Sequence, residues 1–132
     1  TQVATTAFVQ AAIAAAGGSV ANNATTVTGA ECTNYKTIHY GTATVYGVIV
    51  TNTTSSARYF KLASDAATIS ASRVFLKVEV PAGQTVSMFP SGGIPDTAGG
   101  KSAIYAYCTT GSSDTDTTYA SSGDMFATIL WA

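Results

Sequence analysis

Catalysis needs convergent reactive groups, and this chain of 132 residues has few of them. Its single histidine, His39, would have to act as the base in any Ser-His-Asp arrangement. No G-x-S-x-G elbow accompanies it, and it stands inside the strand-like segment YKTIHY (residues 35–40), where a surface or hydrogen-bonded role is the ordinary one. Glycoside hydrolysis would need two carboxylates facing each other across a cleft. Asp65, Glu79, Asp96, Asp114, Asp116 and Asp124 could supply such a pair only through tertiary structure. Asp114, Asp116 and Asp124 share one polar stretch and are the weak candidates for a metal, since carboxylates with Ser and Thr oxygens suit Ca²⁺. That stretch has neither the glycine at the sharp turn nor the closing Glu of an EF-hand, so Asx-turns in a solvated loop are the simpler expectation. Phosphate-cradling, C-x-x-C and H-E-x-x-H patterns do not occur. The expectation is a protein that is not an enzyme, with no catalytic residues, no metal site and no cofactor.

Cys32 and Cys108 are the two cysteines. Oxidised to a disulfide, they would close a large loop and add a few kcal/mol of stability; as thiols, each would be a small buried side chain beside a strand. A two-cysteine chain leaves both readings open.

Charge excludes several partners. Only 10% of the residues are charged, six basic and seven acidic, where an ordinary domain has about 25%. They are spread singly, so no stripe could follow a phosphate backbone or an anionic membrane, and nucleic acid is not an expected partner. No apolar run approaches the ~18 to 20 residues of a membrane span, and the N-terminus lacks the basic flank of a signal peptide. The expectation is a soluble chain without membrane insertion. It begins with Thr1, which is read as a processed end or the start of a piece of something longer.

Residues 1–18, TQVATTAFVQAAIAAAGG, predict a short α-helix: Thr5 and Thr6 can cap it, residues 7–16 favour it and Gly17-Gly18 stop it. So short a helix is marginal alone and needs a surface to lie on. Phe8, Val9 and Ile13 share one face with Ala12 and Ala16, which makes these three large side chains the candidate oligomer contacts of an N-terminal attachment segment.

Residues 19–34 form a polar connector, strand-like only at 24–28, and residues 35–132 read as one β domain. Asn23 and Asn52 each begin a triplet of glycosylation type, a pattern common by chance in a Thr-rich chain. Runs rich in β-branched and aromatic residues occupy 35–40, 44–51, 57–62, 73–80, 84–89, 102–108 and 124–131. Seven strands, or eight with 25–28, predict a mainly β fold: an antiparallel β-sandwich of jelly-roll type. In RVFLKVEV (73–80), Val74, Leu76, Val78 and Val80 should face the core, while Phe75 among the polar set hints at a second contact surface. PAGQ (81–84) reads as a tight hairpin, and 90–101 and 109–124 as long loops of the kind that carry function. Tyr105, Tyr107 and Tyr119 are candidates for contact with a host or partner, since sheet-borne tyrosines serve subunit edges or sugar platforms.

The segment QVATTAFVQAAIAA (2–15) closely resembles one found in tail fibre proteins of tailed bacteriophages, commonly near the junction of a trimeric shaft and a terminal domain. YGVIVTNTTSSARYFKLAS (46–64), VEVPAGQTVSMF (78–89) and DTDTTYASSGDMFATILW (114–131) look like a recurring small β domain of phage virion proteins. The resemblance implies a structural protein located in the virion, most readily a trimeric tail fibre protein touching the host, with a capsid decoration (cement) protein as the alternative. Its implied partners are itself, as a homotrimer, other virion proteins, and a host surface glycan or protein. The neutral surface agrees with identical subunits packing around an axis.

Overall fold

The computed structural model describes residues 21–64, 73–95 and 103–132; the expected helix, with Phe8, Val9 and Ile13, lies outside the described residues. Within them the chain is mainly β and carries no α-helix. Sheet A has the order β1 (Asn23–Val27), β9 (Met125–Trp131), β3 (Thr44–Asn52), β6 (Thr85–Met88), with β7 (Ile94–Pro95) also paired to β3. Sheet B has the order β2 (Lys36–Tyr40), β8 (Ala103–Thr109), β4 (Arg58–Ser64), β5 (Val74–Val80). All pairings are antiparallel. A 3-10 turn, Glu31–Thr33, lies between β1 and β2.

Each expected run becomes a strand because its β-branched and aromatic residues suit a pleated, half-buried surface. The count differs by the short β7, which forms inside the stretch read as loop, where Thr44 pairs Pro95 and Val45 pairs Ile94. PAGQ is a tight turn, with Gln84 N donating to Pro81 O at 3.2 Å and Gly83 at φ +66°. It is not a hairpin. β5 pairs β4 in sheet B and β6 pairs β3 in sheet A, so this turn carries the chain from one sheet to the other. Turn chemistry dictates a reversal of direction, while the pairing on either side is decided by distant strands.

Side chains from both sheets meet in one hydrophobic cluster: Val48, Val50, Ala127 and Ile129 from sheet A, and Phe60, Leu62, Val78 and Ile104 from sheet B. Burying each large one contributes roughly 1.5–3 kcal/mol. The expected alternation holds for Leu76, Val78 and Val80 but not for Val74. The register between β4 and β5 shifts at Leu62/Ala63, so that Val74 pairs Ala63 and packs on the outer side with Tyr107. Phe75 turns to the core instead of offering a second contact surface, because the irregularity inverts the alternation at that end of the strand.

Asn52, fully buried, ends β3. Its Nδ2 donates to Ser56 O at 2.8 Å, Val80 O at 2.9 Å and Pro81 O at 3.2 Å, and its Oδ1 accepts from Thr54 N. This amide ties a sheet A strand to the end of a sheet B strand. The glycosylation-type triplet at Asn52 is therefore structural, its amide enclosed and consumed.

Candidate functional site

Of the residues singled out for catalysis, Asp65 and Asp96 lie outside the described residues, and His39 and Glu79 stand on different strands, β2 and β5. His39 lies on β2 with its ring 4.4 Å from that of Trp131, and Trp131 Nε1 donates to Thr25 Oγ1 at 3.0 Å. The pair closes one edge between the sheets, a packing contact. Asp114, Asp116 and Asp124 each serve a different structural partner. Asp114 accepts from Lys77 Nζ at 2.6 Å. Asp116 accepts the Gly111 N–H at 2.6 Å and the Thr118 N–H at 3.0 Å, and these backbone donors, Thr118 foremost, hold its carboxyl below the ordinary range. Asp124 accepts the Ser121 N–H at 3.0 Å and faces the Arg58 guanidinium at 3.4 Å. Among the described residues, no three His, Cys, Asp or Glu side chains converge as metal ligands.

On the outer side of sheet B, two lysines organise the long polar loop. Lys61 and Lys77 are register partners on β4 and β5. Lys61, fully buried, donates to Gly111 O at 3.1 Å and Ser113 O at 2.5 Å; Lys77 donates to Ser112 O at 2.9 Å and to Asp114. Three consecutive carbonyls are thus held from below by two ammonium groups. Burial pulls the Lys61 pKa down, and the Asp116 and Asp114 charges oppose that pull. The loop then folds back along β8, with Thr110 N donating to Thr118 O and Ala120 N to Cys108 O, both at 2.9 Å.

This return lays Tyr119 parallel to Tyr107, ring centroids 6.3 Å apart, while Tyr35 meets Tyr105 edge-on at 5.3 Å. Of the three tyrosines expected to make contacts, Tyr107 is fully buried and has no surface to offer, a correction that follows from the loop lying over it. Burial, then the neighbouring phenols, pushes its hydroxyl well above the usual tyrosine range. Tyr105 and Tyr119 are half-buried. The open tyrosines are two that sequence reasoning did not select, Tyr40 at 76% and Tyr35 at 37% exposure. Tyr40 ends β2, an edge strand of sheet B, and Tyr35 directly precedes it; the alternation of YKTIHY was the available signal.

Sheet A is different. Its five strands, NATTV, TVYGVIVTN, TVSM, IP and MFATILW, contain no Asp, Glu, Lys or Arg. Thr26, Thr128, Ile49 and Ser87 stand in one row across β1, β9, β3 and β6, and Phe126, Thr51 and Thr85 in the next. These are the positions that alternate with core residues, so they point outward. Phe126 is 44% exposed and borders a shallow groove lined by Thr26, Ile49, Thr51 and Thr128. Thr51 and Thr85 join their hydroxyls at 2.8 Å. The face is hydroxyl-rich, partly apolar and, on its strands, uncharged, and sequence reading missed it because no single strand displays it.

No family model matches this chain, and neither a curated protein nor a solved structure matches it.

Proposed function

We propose that the chain is a non-enzymatic structural component of a bacteriophage virion, a homotrimeric tail fibre protein whose distal β domain contacts the host. The observation that carries the reading is the uncharged outer face of sheet A. A like-charged surface resists packing against its own copy, whereas threonines, Ile49 and Phe126 can be buried against an identical subunit without desolvating an ion. The phage location rests on the resemblance of the segments 2–15, 46–64, 78–89 and 114–131 to phage virion proteins.

The finer architecture belongs to the same reading. With the two-residue β7 set aside, eight strands divide four and four as β1-β9-β3-β6 and β2-β8-β4-β5, and side chains from both sheets fill one core. That division suits a jelly-roll sandwich, a fold frequent in viral shells and lectins. In a trimer joined through sheet A, sheet B is left to the outside. Tyr35, Tyr105 and Tyr119, with rings partly open, would then be the surface presented to a host glycan or protein.

Light scattering should report three times the mass of one chain, and labelled chain on particles should mark an appendage. A monomer in solution, or label covering the shell in many copies, would replace this reading, the second with the cement protein.

A further inference from the structure

From the approach of the two thiols inside the core, we propose that Cys32 and Cys108 form an intramolecular disulfide that staples the connector between β1 and β2 to strand β8. After β1, the Glu31 side chain accepts the Thr28 N–H at 2.8 Å and Cys32 N bonds back to Thr28 O at 3.3 Å, so the 3-10 turn delivers Cys32 into the interior. Its Sγ stands 2.7 Å from Cys108 Sγ and 3.1 Å from the Met125 carbonyl oxygen on β9. Both side chains are buried, and Cys108 pairs in register with Phe60 in the middle of sheet B. Two sulfurs in bare contact rest at about 3.6 Å, and a disulfide joins them at about 2.05 Å, so the pair needs only a small further approach.

The cross-link would span 76 positions of sequence, removing much of the freedom of the unfolded chain. Within the folded pair, the shared hydrogen bond lowers the Cys32 pKa and raises that of Cys108. The oxidant is an external low-molecular-weight disulfide such as oxidised glutathione. The thiolate of one cysteine, for instance Cys32, attacks one of its sulfurs, forming a mixed disulfide and releasing one small thiol. The Cys108 thiolate then attacks Cys32 Sγ and releases the second; two protons and two electrons leave the protein, and two small thiols carry them. Because both sulfurs are closed to solvent in the folded chain, the exchange takes place before the core closes or during local opening, and the finished bond is shielded from reductant. The inference does not depend on the virion reading.

The test uses the full chain, refolded in a glutathione redox buffer, then unfolded in guanidinium with iodoacetamide and weighed. The expected result is a chain without alkylated cysteine, roughly 2 Da lighter than the reduced form, with Tm falling by roughly 10 °C on reduction. Cys32→Ala and Cys108→Ala should each show one alkylated thiol and the same lowered Tm, insensitive to reductant. Two alkylated thiols in the refolded parent chain, or a cross-link found only between chains on a non-reducing gel, would overturn the proposal. If the single variants do not fold, the mass of the refolded parent chain still decides it.

Discussion

The outer faces of sheet B and sheet A differ in the charge they carry. Sheet B carries all the charged residues found in the strands and spends its two central lysines on its own chain, drawing residues 111–114 down over β4 and β5. Sheet A carries none and leaves rows of threonine, Ile49 and Phe126 facing outward. A face satisfied within the chain gains stability from local hydrogen bonds. An uncharged, partly apolar one, in the trimer proposed above, would gain it by excluding water against an identical subunit. The buried Lys61 is tolerable only because carbonyl oxygens replace the water it loses.

The contrast can be broken at several points. The largest effect is expected from Ile49→Lys combined with Phe126→Lys, which puts charge at the centre of the sheet A face. Association should weaken by about 100-fold or more in sedimentation, with circular dichroism unchanged. Tyr40→Lys, at the more exposed tyrosine on sheet B, should leave the assembled mass as it was. Equal effects at both positions would erase the distinction between the faces. Next in size is Lys61→Met, which leaves the Ser113 carbonyl without its ammonium donor and the Gly111 carbonyl with the Thr109 hydroxyl alone. It should cost about 2–3 kcal/mol in urea unfolding and speed proteolytic nicking within residues 110–118. Lys77→Ala removes a half-exposed pair with Asp114, and the cost should stay under about 1 kcal/mol.

The smallest effect is a local response to acid. Hydrogen bonds from Thr118 and Gly111 hold Asp116 below its ordinary value of 3.8. A depressed folded-state pKa contributes stability that is complete above the unfolded value and lost as pH falls through the folded one. Exchange of the Gly111 and Thr118 amide protons, corrected for intrinsic rates, should therefore rise only below about pH 4. In Asp116→Asn that acid response should disappear, with sheet A amides unaffected in both proteins.

Much of this was legible locally. β-Branched runs, the alternation of Leu76, Val78 and Val80, and the turn at residues 81–84 depend on neighbours within a few positions, and the strands formed where those features stand. The candidate surfaces were less legible. Tyr107 looked available on its strand and is buried by a loop whose anchors lie on β4 and β5, while Phe126 and Ile49 come together only because β9 pairs β3.

By itself the sequence determined a mainly β chain of low charge, with two cysteines, a single histidine and scattered carboxylates. Tertiary structure alone decided which sheet each strand joins, that the charged strands share one sheet, and that Cys32 and Cys108 meet. The reason is range: strand propensity and turn geometry act between adjacent residues, whereas partner choice sums packing and hydrogen bonds over strands far apart in the chain, which no local window contains.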